Sequence, residues 1–485
     1  MSLTHMCDRE RGWSEVPLVK TWQLIAGSAV AGLALSAAAV ASAGPWDSGQ
    51  RKAERDRAAS WSRTGGADHA AGSLPQAAPS APGVLQGVAP RSSGAPSAAL
   101  AGVLGPLLAD SSLGTVRAAA VVDAATGRVL YESGAAEAMT PASTVKIATA
   151  SAALTALGPE HRIRTTVAPG AGPGQIVLVG GGDPSLTAKK KSPAGSGGSL
   201  VALAADTAQA LKAAGTDTVA LGYDDTLYSG PVRHPIGRND NLAPVTALTA
   251  DEGRPDDSTA GPVTRTEDPS GDTARAFAGL LRDRGIKVTG EPAPAKPAPD
   301  ARPLATTLST PLAGLVERML TNSDNDIAEA LARQTALASG KPASFEGGEK
   351  AVSERLASLG VDLTGTRFAD GSGLNRADKV SARLLTALLA KAAGPGHPEL
   401  RPVLTGLPVA GFTGTLRTRN AGTSPAAGLL RAKTGTLTGV NSLAGTVVDP
   451  SGRLLAFAFL TANAADGSAA EKGLDKLAAA VASTP

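Results

Sequence analysis

Cysteine, histidine and aromatic residues are scarce in this chain of 485 residues. The single cysteine, Cys7, excludes an intrachain disulfide and any zinc site built from several cysteines. The five histidines show no spacing typical of paired metal ligands. The sequence therefore predicts neither a metal ion nor another cofactor.

The chain also lacks an excess of charge of one sign. Lys and Arg number 46 against 43 Asp and Glu, which leaves a formal net charge of +3. This balance is too even to predict binding to nucleic acid or to an acidic membrane surface. Aromatic residues make up 3% of the chain, so the core must pack mainly on Leu, Val and Ala. All four tryptophans precede the segments with regular hydrophobic patterns: Trp13, Trp22, Trp46 and Trp61.

The longest apolar run lies near the N-terminus. Residues 24–40 read LIAGSAVAGLALSAAAV, with Lys20 before them and the small-residue sequence Ala-Ser-Ala at 41–43 after them. A basic residue, an apolar run and a small-x-small site are typical of an export signal. The pattern predicts a signal peptide over residues 1–43, or a signal anchor if the segment is not cleaved. We therefore expect an exported protein, either secreted or associated with a membrane through this segment.

Composition divides the remaining chain. Residues 44–98 are rich in Ala, Gly, Pro and Ser without a helical or strand period, which predicts a disordered linker. Regular patterns begin near Leu113. We expect a main domain formed by residues 99–162 and 241–485, interrupted by a small inserted α/β domain at residues 163–240.

Strand-like segments occur at both ends of the main domain. TVRAAAVVDAATGRVLYES predicts an opening hairpin, and LLRAKTGTL, NSLAGTVVDP and RLLAFAFLTA predict three closing strands before a last helix. Helical periodicity dominates the segments between them. The predicted fold class is therefore α+β, with an antiparallel sheet built from both chain ends and flanked by helices.

Three short motifs in the main domain contain side chains that can carry chemistry. Each alone suits an ordinary helix cap or strand end. In chain order the motifs are Ser143-x-x-Lys146, Ser323-Asp324-Asn325 and Lys433-Thr434-Gly435, and each occurs once. Their order along the chain resembles that of the motifs of β-lactamases and penicillin-binding proteins.

These residue types suit nucleophilic catalysis. A serine hydroxyl attacks a carbonyl only when a base takes its proton. Ser143 and Lys146, three residues apart on one helix, can bring the amine within hydrogen-bond reach of the hydroxyl. Burial and the second cation, Lys433, should lower the Lys146 pKa so that it can act as the base. Ser323 can relay a proton to the leaving amine, while Asn325 can bond to the substrate amide and to Lys146.

The C-terminal motif predicts substrate binding. Lys433 can attract a substrate carboxylate, and Thr434 adds a hydroxyl for the same group. The backbone N–H groups of Ser143 and Thr436, one at a helix start and one on the strand edge, would form an oxyanion hole.

From about residue 110 onward the chain resembles the low-molecular-mass, class C penicillin-binding proteins, the D-alanyl-D-alanine carboxypeptidase/endopeptidase family. Besides the three motifs, the resemblance rests on LVGGGDPSL (178–186), APVTALTADEG (243–253) and FADGSGLNRADKVSARLL (368–385). It implies a catalytic domain of the serine β-lactamase type, interrupted here by an insertion short enough for one extra domain.

The resemblance also implies a reaction. The expected activity is hydrolysis of the D-Ala–D-Ala bond of peptidoglycan stem peptides through a Ser143 acyl-enzyme. Some members of the family also cut peptide cross-links, and β-lactams acylate the same serine. In this family the loop that holds Arg376 approaches the substrate pocket, where a guanidinium could pair with the carboxylate of a diamino acid. An isolated loop arginine is also commonly a solvated surface residue.

Other functions of the same scaffold stay open. A β-lactamase needs an efficient deacylation base, and no Glu-x-x-Leu-Asn motif lies between the second and third motifs. Asp324 is expected to point away from the pocket. A non-catalytic penicillin- or peptidoglycan-sensing protein would be free to lose Ser143, Lys146 or Lys433, and none is lost. An esterase would differ from a peptidase in its relative rates of ester hydrolysis and D-Ala release.

Overall fold

The computed structural model describes residues 97–191 and 197–485. The predicted signal segment at 1–43 and nearly all of the predicted linker at 44–98 lie outside these residues, as do the four tryptophans. Within the described ranges no helix is both long and apolar enough to cross a bilayer.

The elements are numbered in chain order. The strands are β1 (Val116–Asp123), β2 (Val129–Ser133), β3 (Ala138–Met139), β4 (Arg164–Pro169), β5 (Gln175–Val179), β6 (Thr218–Asp224), β7 (Lys287–Pro294), β8 (Ala305–Leu308), β9 (Val380–Ser381), β10 (Leu430–Leu437), β11 (Val440–Val448) and β12 (Leu454–Ala462). The helices are α1 (Ala98–Leu108), α2 (Lys146–Leu157), α3 (Leu200–Ala213), α4 (Pro269–Asp283), α5 (Leu312–Asn322), α6 (Asn325–Ala338), α7 (Phe345–Ser358), α8 (Ala382–Ala393), α9 (Arg401–Thr405) and α10 (Gly467–Ser483).

A five-stranded antiparallel sheet joins the two ends of the main domain, in the order β10-β11-β12-β1-β2. Successive side chains of a strand point to opposite faces. Ala118 and Ala120 accordingly pack with α2, α5, α6 and α8 on one face, while Ala119 and Val121 pack with α1 and α10 on the other. The predicted fold class, with a sheet built from both chain ends and flanked by helices, is confirmed.

A second five-stranded sheet, in the order β7-β6-β5-β4-β8, forms the inserted unit. Its strands β5, β6 and β7 are parallel, and α3 and α4 pack against it through residues such as Leu203 and Phe277. Because β7 and β8 complete this sheet, the insert extends to Leu308 and the predicted boundary at residue 240 is corrected. The strand β7 escaped prediction because it is mostly exposed and contains Gly and Pro, so it shows no alternation.

Helix α1 begins at the predicted end of the linker and lies before Leu113, in a segment where the sequence showed no regular pattern. The Ser97 side chain caps it by accepting a hydrogen bond from the N–H of Leu100 at 3.1 Å. Gly102, Gly105 and Pro106 interrupt its helical signal, but Leu104 is fully buried against the sheet. Burial of its apolar stripe therefore outweighs a weak helix propensity.

Candidate active site

The nucleophile lies in a short 3₁₀ turn, Ala142–Val145, which leads directly into α2. Ala142 has a φ of 49° in the left-handed region, which costs an alanine about 1–2 kcal/mol. Such strain is typical of functional turns. Lys146 opens α2 one turn after Ser143, and its Nζ lies 3.0 Å from Ser143 Oγ.

Lys146 is fully buried and donates to three acceptors. They are Ser143 Oγ, Asn325 Oδ1 at 2.7 Å and the Ser372 carbonyl at 2.5 Å. Burial lowers the Lys146 pKa to about 8, although carboxylates farther away, among them Asp370, oppose the shift. At pH 7 about a tenth of the molecules then hold a neutral amine that can accept the Ser143 proton.

The loop that carries the Ser372 carbonyl is held from beneath by buried carboxylates. Asp370 accepts N–H groups of three residues in 372–375, and Glu329 accepts those of Gly371 and Ser372. Gly373 has a φ of 85°, and its position leaves no room for a Cβ beside the Ala142 carbonyl. The loop therefore fixes an acceptor for Lys146 at the back of the site.

Asp370 lies at the centre of this buried cluster. Its Oδ2 is 2.9 Å from His234 Nε2. Burial would raise the Asp370 pKa, but hydrogen bonds from His234 and Asp378 outweigh it and hold the pKa at about 2. Burial and the charge of Asp370 raise the Asp378 pKa to about 10, so Asp378 is protonated at neutral pH. Sequence reasoning missed this cluster, because His234 is far along the chain from its partners.

Ser323 and Asn325 flank the junction of α5 and α6. Ser323 has a φ of 59°, the left-handed turn that ends α5, and its Oγ accepts a hydrogen bond from Lys433 Nζ at 2.9 Å. Asn325 opens α6; its Oδ1 accepts from Lys146, and its Nδ2 donates to the Asn241 carbonyl at 3.0 Å. The turn between two helices thus presents both side chains to the two lysines.

Asp324, between these residues, is engaged elsewhere. Its Oδ1 accepts the N–H of Ile327 at 3.0 Å as the cap of α6, and its Oδ2 lies 3.5 Å from Arg318. Both carboxylate oxygens therefore have partners within the protein.

Lys433 lies on β10, an edge strand of the main sheet, and is fully buried. Its Nζ donates to Ser323 Oγ and to the Thr434 carbonyl. Burial first, and then the charge of Lys146, lower the Lys433 pKa well below its usual range. Burial is the leading cause of the lowered pKa of both lysines, and the charge of Lys146 adds to the lowering at Lys433.

The edge of β10 provides backbone donors beside Ser143. The N–H of Ala432 points away from β11 and donates to the Pro408 carbonyl at 3.0 Å. Because strand residues alternate, the N–H groups of Thr434 and Thr436 point to the same open side. A Cβ at Gly435 would lie 3.0 Å from the Ser143 nitrogen and 2.7 Å from the Pro141 carbonyl oxygen. Only glycine permits this approach, which brings the two predicted oxyanion donors together.

A cavity of about 310 Å³ opens in front of these groups. Thr434 Oγ1 donates to Thr415 Oγ1 at 2.9 Å at its far side, and Thr436 Oγ1 donates to Glu471 at 2.9 Å. Arg376 is exposed and not part of the lining; its guanidinium donates to the Thr438 carbonyl at 2.7 Å in the β10–β11 turn. The predicted site residues that line the cavity are Ser143, Ser323, Asn325, Thr434 and Thr436.

A serine bonded to a buried lysine, a second serine–lysine pair opposite it and a free strand edge define a serine hydrolase that works through an acyl-enzyme. The chain belongs to the D-Ala-D-Ala carboxypeptidase 3 (S13) family, whose model matches residues 100–260 and 255–481. The family predicted from the sequence is thereby confirmed.

Relatives of similar length support this assignment. The chain is 38% identical to a carboxypeptidase of Mycobacterium tuberculosis, over 83% of this chain and 88% of the relative. It is 37% identical to the carboxypeptidase DacB of Mycolicibacterium smegmatis, over 87% and 92% of the two chains. A D-alanyl-D-alanine carboxypeptidase of Actinomadura sp. is 30% identical, over 72% and 78%.

Solved structures agree on the fold. Penicillin-binding protein 4 of Haemophilus influenzae superposes with a TM-score of 0.64 at 24% identity, over 78% of this chain and 97% of that chain. The same protein in complex with a β-lactam superposes with a TM-score of 0.59. The chain therefore has the penicillin-binding-protein fold.

Proposed function

We propose that this protein removes the terminal D-Ala from peptidoglycan stem peptides, with Ser143 as the nucleophile. The observation that carries the proposal is the bonding of one buried amine, Lys146 Nζ, to both Ser143 Oγ and Asn325 Oδ1. A base of lowered pKa is thus hydrogen-bonded to the nucleophile and to an amide side chain that can bind substrate, and both of these line one cavity.

The groups suggest a sequence of proton transfers. Neutral Lys146 takes the hydroxyl proton as Ser143 Oγ attacks the penultimate D-Ala carbonyl, and the oxyanion faces the N–H groups of Ser143 and Thr436. Ser323 passes its hydroxyl proton to the D-Ala nitrogen as the C–N bond breaks and takes the proton that Lys146 received, so Lys146 is neutral again. Water then enters where D-Ala was and gives a proton to Lys146 as its OH adds to the acyl carbonyl, and Lys146 returns this proton to Ser143 Oγ as the acyl group leaves.

The decisive experiment compares two serine variants. Wild-type enzyme should release D-Ala from a pentapeptide stem and be labelled once by a fluorescent penicillin. Ser143→Ala should lose both, whereas Ser358→Ala, at an exposed serine at the end of α7, should keep both. Labelling of Ser143→Ala would disprove the assigned nucleophile. Ester hydrolysis that far exceeds D-Ala release in the wild type would favour an esterase.

Two further proposals concern the other substrates of the enzyme and the location of the protein in the cell. β-Lactams should acylate Ser143, and peptide cross-links should be cut as well as terminal D-Ala. The apolar segment at 24–40 supports export to the cell-wall side, with either cleavage after 43 or retention as a membrane anchor. Fractionation of cells followed by N-terminal sequencing distinguishes the two forms: an N-terminus at 44 indicates cleavage.

We also propose that Arg376 binds a carboxylate of the stem peptide. Its guanidinium is exposed at the end of β10, and among the described residues its hydrogen bond goes to a backbone carbonyl, so it can turn towards a bound anion. Arg376→Ala should lower kcat/KM for a stem with a free diamino-acid carboxylate and spare the amidated stem. Arg282→Ala, at an exposed arginine of α4, is the matched control. Equal losses on both stems would assign Arg376 a structural role.

A further inference from the structure

Ser442 is a buried serine of β11 that lies outside the lining of the catalytic cavity. The residue directly opposite it on β10 is Gly435. Directly paired residues of neighbouring strands point to the same face of a sheet. The Ser442 side chain therefore lies on the face that Gly435 leaves without a side chain.

The Ser442 hydroxyl occupies the space that a side chain at Gly435 would fill. A Cβ at Gly435 would overlap Ser442 Oγ, and it would lie 2.7 Å from the Pro141 carbonyl oxygen and 3.0 Å from the Ser143 nitrogen. Through this gap Ser442 Oγ donates a hydrogen bond to the Pro141 carbonyl at 2.6 Å. Strand β11 thereby reaches past β10 to the turn that carries the nucleophile.

This hydrogen bond ties the turn to the main sheet. Among the described residues, the other donors to the Pro141 carbonyl are the N–H of Thr144 at 3.4 Å and its Oγ1 at 2.8 Å. Both groups belong to the turn itself and move with it. Of these three hydrogen bonds, only the one from Ser442 connects the turn to a strand.

The turn needs such a support because its next residue is strained. Ala142 has a left-handed φ of 49°, which an alanine rarely adopts. The Ala142 carbonyl lies against Gly373, where a Cβ would overlap it. In a trans peptide the C=O and N–H point in opposite directions, so the Ser143 N–H points away from this glycine. The direction of this oxyanion donor thus depends on the peptide planes on both sides of Ala142.

We propose that Ser442 is a positioning residue for acyl transfer, which aims the Ser143 N–H at the oxyanion. The proposal rests on the acyl-enzyme function above. Without the Ser442 hydroxyl, the Pro141 carbonyl loses its bond to the sheet and the strained turn can relax. Lys146 keeps its own hydrogen bonds, which come from other elements. Ser442 therefore acts on the stabilisation of the oxyanion and not on the base.

The test begins with D-Ala release from a pentapeptide stem by Ser442→Ala. Its kcat should fall about tenfold, less than the roughly 10²–10³-fold cost of removing an oxyanion-hole donor outright, because here the donor stays but is misdirected. KM should stay unchanged. The pKa seen in the acylation profile, which belongs to Lys146, should also stay where it is.

A peptide boronic acid gives a second, independent readout. Its boron bonds to Ser143 Oγ, and the tetrahedral adduct places an oxygen where the oxyanion forms. Its affinity should fall about tenfold in Ser442→Ala, which corresponds to about 1.4 kcal/mol. Ser151→Ala is the matched control, at a buried serine of α2 that donates to the Ile147 carbonyl at 2.8 Å. This control should lower stability to chemical denaturation but leave kcat and boronate affinity unchanged.

Wild-type values of kcat and boronate affinity in Ser442→Ala would overturn the proposal. Equal losses in both serine variants would also overturn it, since they would assign Ser442 a purely structural role. A moved pKa would do the same, because the effect would then act through Lys146. Failure of the wild-type enzyme to release D-Ala would instead overturn the proposed function.

Discussion

Lys146 sets the pH dependence of the reaction at the scale of single residues. Only its neutral form can accept the Ser143 proton, and burial lowers its pKa to about 8. Acylation by a penicillin should therefore rise with pH, about tenfold per unit well below 8, and level off above it. Stopped-flow acylation rates between pH 6 and 9 measure this. A flat or falling profile would show that Lys146 is not the base.

Asp370 is a positioning residue, because it touches no reacting atom yet holds the loop that bonds Lys146. Asp370→Asn should lower the free energy of unfolding by about 2 kcal/mol through loss of charge-assisted hydrogen bonds. It should also lower kcat more than it raises KM, and move the pKa seen in the acylation profile, since the Ser372 carbonyl is no longer fixed. Asp362→Asn, at an exposed carboxylate that bonds within its own turn, is the control.

A shift in stability without a change in the acylation profile would leave Asp370 with a purely structural role. Chemical denaturation gives the free energy of unfolding, and the pH dependence of acylation gives the second readout.

At the scale of the element, the close approach of β10 to the turn before α2 depends on Gly435, which has no side chain. Gly435→Ala should lower acylation about a hundredfold, because a Cβ would push the strand away from the Ser143 nitrogen and open the oxyanion hole. Gly279→Ala, inside α4 with nothing near its Cβ, should instead stabilise the fold by about 0.5–1 kcal/mol. Penicillin labelling and thermal unfolding of both variants measure this.

Normal acylation by Gly435→Ala would show that β10 tolerates a side chain there. In that case the donors of the oxyanion hole would have to be sought elsewhere on the strand edge.

At the scale of the whole molecule, the fold brings several carboxylates near Ser143 but engages each with the protein. Glu329 and Asp370 bind the loop behind Lys146, Asp324 caps α6, and Asp326 pairs with Arg265 at 2.9 Å. Within the described residues, therefore, no carboxylate of the cavity is free to direct water at an acyl ester. Deacylation of a penicilloyl-enzyme, whose tethered leaving group blocks the entry of water, should be slow.

We expect one equivalent of penicillin to react in a burst, followed by turnover slower by orders of magnitude than D-Ala release. Nitrocefin hydrolysis and D-Ala release by the same preparation give the two rates. Rapid nitrocefin turnover without a plateau would favour a β-lactamase.

The sequence by itself determined the family, the fold class and the three motifs. Their signals are local: Ser143 and Lys146 are one helical turn apart, and strand alternation marks β10, β11 and β12. Local patterns also placed most helices. They did not predict α1, because its helix propensity is weak and Leu104 holds it by packing against the sheet. They also did not predict β7, because it is an exposed strand without alternation.

Only the tertiary structure decided which distant groups support the motifs. His234, Glu329 and Asp370 are separated widely along the chain, and nothing in their local pattern indicates that they meet. The Ser372 carbonyl is a backbone group, so its role as an acceptor for Lys146 cannot be predicted from the type of residue that carries it. Such sites depend on long-range packing. The whole fold determines which residues lie close together in space, whereas a sequence motif involves only residues that are neighbours along the chain.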